Sequence, residues 1–311
     1  MSKHSRREFM VRSAAAGTLA YGAGDLLAAP AGPAKMTIAK WTGAEASGNA
    51  QIDKIAAQLT EQAIEGMGGM KRFVSRGSVV WVKPNIGWDR TPELAANTNP
   101  AVVATIVRMC FDAGAKTVKV GDNPCDLPEK TYVASGIARA AESVGAKVVR
   151  VDRSRFRDTA IKGDRVKKQP MYPEILDCDV VINCPIAKHH GLAGCTLTMK
   201  NFMGVIENRR SFHQALPECL VDLTRFMQPQ TTLHVLDGVR ILKAHGPKGG
   251  NPDDVVVKTT VAAGVDPVAL DAFGAELLGR KPSDVGSVVK GSEAGLGTMD
   301  YRSLAREIAV S

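Results

Sequence analysis

The sequence predicts an α/β fold: a mainly parallel, twisted sheet with helices on both faces, in a single mature domain spanning 34–311. Short β-rich apolar runs alternate with segments whose apolar residues recur at helical spacing, the pattern of successive βαβ units. Several of those runs stop at proline, aspartate or asparagine, as buried parallel strands do where the chain turns away. The segment Gly114-Ala115-Lys116-Thr117-Val118-Lys119-Val120 recurs as Gly145-Ala146-Lys147-Val148-Val149-Arg150-Val151, about one βαβ unit further on.

Met36 to Trp41 alternates and reads as a strand. Ile52, Ile55, Ala56, Leu59, Ala63 and Ile64 form the apolar face of a helix that Gly66, Gly68 and Gly69 stop. Ser78 to Val82 is a buried strand that ends at Lys83-Pro84-Asn85. Asn99 caps and Pro100 starts the next helix, with Val102, Val103, Ile106, Val107 and Cys110 facing inward. Thr117 to Val120 is a strand running into Gly121-Asp122-Asn123-Pro124, and a helix is expected from about Tyr132 to Val144. Asp179 to Cys184 and Thr232 to Leu236 are further buried strands, ending at Pro185 and Asp237-Gly238. A helix covers Ala215 to Met227. Val255 to Ala263 is a longer strand, and Asp266-Pro267 opens a helix with Leu270, Phe273, Leu277 and Leu278 on one face. From Lys281 onward the chain reads as short helices packed on the outside.

The chain has 311 residues, 44% hydrophobic and 23% charged, with 40 Lys plus Arg against 32 Asp plus Glu for a net charge of +8. This excludes a collagen-like, coiled-coil or wholly disordered chain. Scattered basic residues and only 5% aromatics argue against nucleic-acid binding; the charge suits a small anionic ligand or weak attraction to a membrane surface. The first 31 residues read as an export signal. Ser5-Arg6-Arg7-Glu8-Phe9-Met10 precedes a weak apolar run from Ala14 to Leu27, and small residues follow at Ala28, Ala29 and Ala31. The Arg pair followed by Glu and Phe resembles a twin-arginine signal. That resemblance implies the twin-arginine export machinery as a partner, a periplasmic location and a protein that folds before export.

Ligands of open parallel sheets bind beyond the carboxyl ends of the strands. Lys83, Asn85, Asp122, Asn123, Lys188, His189, His190, Asp237 and Asp266 all follow predicted strands. Turn roles for Asp122 and Asp237 and a helix cap for Asp266 are the plain alternatives. The densest stretch is Ala187 to Gly204, with Lys188, His189, His190, Lys200 and Asn201 among glycines that let backbone approach a ligand. Lys83, Lys188 and Lys200 are the expected neutralising charges, Asn85, Asn201, Asp122 and Asp237 further binding residues, and His190 with Lys200 the proton carriers. His190 is alternatively a metal ligand. Arg209, Arg210 and His213 either close over the anion or start a solvated helix.

Val82-Lys83-Pro84-Asn85, Asn99-Pro100, Lys188-His189-His190-Gly191, Thr196-Leu197-Thr198-Met199-Lys200-Asn201-Phe202-Met203-Gly204, Asp237-Gly238 and Asp266-Pro267-Val268-Ala269-Leu270-Asp271 together resemble domain-of-unknown-function family 362 over roughly 78–300. The resemblance implies no named reaction. Many members resemble iron–sulfur proteins through a fused ferredoxin-like segment, which implies a redox partner protein and a redox-linked enzyme or a cofactor-carrying module. This chain has no C-x-x-C, so a cluster bound by the chain itself is not expected. Of its six cysteines, Cys178 and Cys184 flank a strand about 20 Å long and cannot pair. Cys110 and Cys184 read as core. Cys125 and Cys195 follow strand ends, either meeting in the pocket or serving as loop or core thiols.

Overall fold

The computed structural model describes residues 34–311, so the export signal expected over 1–31 lies outside the described residues. The strands are β1 (Met36–Trp41), β2 (Val79–Pro84), β3 (Thr117–Val120), β4 (Lys147–Val148), β5 (Arg157–Ala160), β6 (Lys168–Met171), β7 (Val180–Cys184), β8 (Ile186–His190), β9 (Gly194–Thr196), β10 (Thr231–Leu242), β11 (Val255–Gly264) and β12 (Ala305–Val310). The α-helices are α1 (Asn49–Gly66), α2 (Pro100–Asp112), α3 (Pro128–Ala134), α4 (Ile137–Ser143), α5 (Pro173–Leu176), α6 (Thr198–Asn201), α7 (Leu216–Met227), α8 (Pro267–Leu277) and α9 (Gly286–Glu293). The main sheet runs β12-β1-β11-β10-β7-β2-β3-β4, with β8 on the far half of β10 and β9 folded back on β8. It is mixed but mainly parallel; β11 runs against both β1 and β10.

Alternation along the strands makes the two-faced core. Val80 and Val82 of β2, Ile182 of β7 and Val261 and Ala263 of β11 point to the face covered by α1, α2 and α4. Trp81 and Val181 point to the opposite face, where α7 brings Leu220 and Leu223. Leu236 and Ala262 meet α8 and α9 on that same side of the sheet.

Pro185 sets the route to the site. It has no N–H, so it breaks the lane of β7, and the chain resumes as β8 one step further along β10. The Pro185 carbonyl accepts the Asp237 N–H at 2.8 Å across the break. This changes the expected end of β10. The strand does not stop at Leu236 but continues with an irregularity near Gly238 to Leu242, because β8 supplies a second parallel partner. Asp237 therefore sits inside a strand. Its carboxylate accepts from the Asn99 N–H at 2.7 Å and the Val239 N–H at 2.9 Å. It fastens the N-terminus of α2 to β10.

Other departures have equally local causes. Gly136, at φ 70°, divides the single helix expected over 132–144 into α3 and α4. Lys83 and Pro84 belong to β2, with Pro84 as its last residue, where no further ladder N–H is needed. The last segment is not all helical, since β12 adds a parallel edge to β1. Because β11 is reversed, Asp266 lies at the opposite end of the sheet from the ends of β2, β3 and β7. There it caps α8 through the Val268 and Ala269 N–H groups.

Asp237→Ala leaves two buried N–H groups without an acceptor. We expect a loss of about 2 kcal/mol or more in urea denaturation, and a smaller loss for Asp237→Asn, which keeps one acceptor oxygen. An unchanged midpoint for the alanine variant would remove Asp237 from the framework.

Candidate functional site

The carboxyl ends of β2, β3 and β7 meet the β8–β9 hairpin around a cavity of about 80 Å³, room for a few waters or one small ion. Asn85, Asp122, Lys188, His190, Lys200 and Asn201 all line it, and so do Asn123, Cys125, Thr196 and Arg209. Lys83 lies directly beneath this lining, while Asp237 is held away by α2 and β10. The expected convergence thus holds for six residues, with Lys83 a supporting layer and Asp237 a structural tie.

Lys188 organises the floor. It is buried on β8 and donates to Asn85 Oδ1 at 2.8 Å and to the Ala96 carbonyl. An ammonium can only donate, so Asn85 must present its oxygen there and its amide nitrogen elsewhere. Asn85 Nδ2 donates to Asn201 Oδ1 at 3.0 Å, and Asn201 Nδ2 donates to Asn183 Oδ1 at 2.8 Å and to the Lys83 carbonyl at 3.1 Å. Asn183 Nδ2 in turn reaches the Thr198 carbonyl at 2.9 Å and His234 Nδ1 at 3.2 Å. The Lys188 ammonium at the head and the Lys83 and Thr198 carbonyls further along fix the three amides in one direction. Two of Lys188's three N–H groups are used, which leaves one for the cavity.

Lys83 makes a buried ion pair with Asp122 at 2.9 Å and also donates to the Pro84 carbonyl at 3.0 Å. The other Asp122 oxygen accepts the Ile86 N–H at 2.8 Å. Gly204 roofs this pair. A Cβ there would lie 1.7 Å from Asp122 Oδ1 and 2.7 Å from Lys83 Nζ, so only glycine fits. The single carboxylate of the cavity is therefore already neutralised.

Strand geometry presents the remaining groups. Lys188 and Thr196 are register partners across the hairpin, and Lys188 and His190, two residues apart, share one face. Lys200 follows on α6, whose first N–H groups are accepted by the buried Asp271 at 2.6 and 3.2 Å. Lys200 makes no hydrogen bond or ion pair among the described residues. Arg209 donates to the carbonyls of Met203 and Asn123 and to Cys125 Sγ at 3.1 Å, clamping the loop after β3 over the mouth.

Burial pushes Lys188 down to about 7 and Lys200 down to about 8, and both cations repel further positive charge. Burial, reinforced by Lys200 and Lys188, pushes His190 down to about 3, so its ring is neutral at physiological pH. Its Nδ1 accepts the Leu192 and Ala193 N–H groups, each at 3.2 Å. The proton therefore sits on Nε2, which leaves His190 a donor in this arrangement. A metal at Nε2 would need the opposite tautomer, which those two N–H groups oppose.

The cysteines do not fit a cluster. Cys125 is exposed at the mouth, while Cys195 is buried among Ala187, Leu197 and Met199, so the two do not meet there. Cys110 and Cys184 lie in the core, with burial raising both thiols. Among the described residues no group of three or more His, Cys, Asp or Glu is placed to hold a metal ion.

Asn183 and His234 were not anticipated as site residues, whereas Asn123 was expected at a strand end and Thr196 within the dense stretch, neither with an assigned role. For Asn183 and Asp271 a signal existed: each is polar inside an otherwise apolar strand or helix, where burial demands partners.

Fold and site together define an α/β protein with a small cationic pocket at the strand ends. Residues 80–276 match the family described as domain of unknown function DUF362, and the chain belongs to that family. The thylakoid-associated protein sll1697 of Synechocystis sp. is 27% identical over 243 residues, which cover 75% of this chain and 73% of the relative. A solved protein structure from Thermotoga maritima is similar over 78% of this chain at 10% identity, with a TM-score of 0.41. The match spans 59% of that longer chain.

Gly204→Ala forces Asp122 from Lys83. Breaking a buried pair costs about 3–5 kcal/mol, so urea denaturation should show a loss of that size or no folded protein. A variant as stable as the parent would contradict the roofing role.

Proposed function

We propose that the protein binds a small oxyanion, a carboxylate or phosphate, in this pocket. The observation that carries the reading is the charge balance of the lining. Lys188, Lys200 and Arg209 face one small cavity, Lys200 has no partner among the described residues, and the one carboxylate lining it is matched from below by Lys83. Buried cations without counter-charges are costly, and an anion removes that cost. Lys188 offers one free N–H, Lys200 three, and His190 its Nε2–H. The cavity volume suits an ion of a few heavy atoms rather than a nucleotide.

The same pocket can move protons. Lys200 and Lys188 lie close to neutrality, so each is available as acid or base, the condition for general acid–base work. This supports an enzyme, with Lys200 the first candidate for the proton-transferring group and His190 as a fixed donor. Family membership names no reaction, and a redox-linked step with a partner protein is the form we favour. The alternative, a module that carries a metal, has less support because His190 Nδ1 is occupied and the thiols are dispersed.

We further propose that the protein works in the periplasm after export by the twin-arginine route, on the strength of Arg6-Arg7-Glu8-Phe9 and the small residues at 28–31. Replacing Arg6 and Arg7 together by lysine should leave the full-length chain in the cytoplasmic fraction. Normal export of that variant would refute the route.

Binding is tested by calorimetry with inorganic phosphate and glycolate. The anion favours protonated lysines, so binding should take up protons near pH 8 and weaken as pH rises through about 7 and about 8. Lys200→Ala should abolish the heat while leaving the melting temperature unlowered, since it removes an uncompensated charge. Full binding by Lys200→Ala would refute the assignment.

A further inference from the structure

Asn123 Oδ1 and Thr196 Oγ1 are buried, belong to residues that line the pocket and have no hydrogen-bond partner among the described residues. The orientation of Asn123 is fixed, because Nδ2 donates to the Ile206 carbonyl at 3.0 Å. Turning the amide would set two oxygens against each other. Its backbone N–H is likewise committed, to Asp122 Oδ1 at 2.9 Å and the Gly204 carbonyl at 3.1 Å. The one group Asn123 offers the cavity is thus an acceptor. Thr196 holds its hydroxyl on the other wall, beside Lys188 across the hairpin.

A cavity lined by cations supplies donors in excess, and an anion satisfies those. It does nothing for an amide oxygen, which needs a donor. We propose that the pocket selects an oxyanion that carries its own O–H, such as hydrogen phosphate or a hydroxy-carboxylate, over one that has none. This rests on the oxyanion reading above and adds the ligand class. The anionic oxygens lie against Lys188, Lys200 and His190 Nε2–H, and the ligand O–H donates to Asn123 Oδ1, with Thr196 Oγ1 as the second acceptor. A fully deprotonated anion leaves the Asn123 oxygen desolvated and opposed to its negative charge. Sites built to meet a ligand hydroxyl reject analogues that lack it.

Charge alone makes the opposite forecast. At pH 7 sulfate is the more highly charged ion, so a merely cationic pocket favours it over phosphate.

The test is calorimetric titration of the full protein at pH 7 with two matched pairs, phosphate against sulfate and glycolate against acetate. The expected result is tighter binding of phosphate and of glycolate, each by about tenfold or more. In Thr196→Val, which keeps shape, and in Asn123→Ala, the preference should shrink while anion binding persists. Sulfate and acetate binding as well as their partners would overturn the selectivity and leave the oxyanion pocket standing. Undiminished selectivity in both variants would show that other groups read the O–H and overturn the assignment to Asn123 and Thr196. Heat from none of the four anions would refute the pocket reading itself, and this inference with it.

Discussion

The Lys188 ammonium can only donate, and the site depends on that constraint. Buried at the base of the cavity, it dictates that Asn85 turns its oxygen inward, and that choice passes through Asn201 to Asn183 and His234. Each amide is polarised in the same sense, which strengthens the chain inside a low-dielectric interior. The chain of bonds joins five segments: the residue after β2, the end of β7, the hairpin strand β8, α6 and the start of β10. The same direction is enforced at the other end, where the acceptor-only carbonyls of Lys83 and Thr198 hold the amide nitrogens of Asn201 and Asn183.

Framework and chemistry are divided between two cation layers. Lys83 lies below, satisfied by Asp122, and holds the loop after β3 against β2. Lys188 and Lys200 lie above and are left short of counter-charge. The lower layer contributes order, and the upper layer is costly to bury without counter-charge. Sites that must bind charge commonly give up stability in this way. Gly204 permits the two layers to stack, because any side chain there would occupy the space where Asp122 meets Lys83.

Much of this was legible in the sequence for a physical reason. Charged and amide residues directly after apolar β-rich runs must emerge at the rim of a parallel sheet, and Lys83, Asn85, Asp122 and Lys188 were readable on that basis. Asp237 followed the same pattern and was misplaced, because β10 continues past it once Pro185 shifts β7's lane to β8. A local reading cannot see a partner strand that extends the ladder. The β12 strand was missed because Ala-Arg-Glu-Ile-Ala-Val is a short edge segment, mostly exposed and without clean alternation. Asn123 was readable at a strand end and Thr196 in the dense stretch before Gly204, but their unpaired oxygens were not, since an unpaired acceptor is a property of the surrounding packing. The proposed export signal rests on the order of basic, apolar and small residues alone.

The central claim is that Lys188 and Lys200 are under-compensated cations awaiting an anion. The most direct test is NMR titration of lysine side chains labelled at Cε, without and with phosphate. The account predicts two lysines titrating near 7 and 8 in the free protein, each moving upward when phosphate is added. Two lysines titrating at the ordinary 10.5 and unmoved by the anion would contradict it.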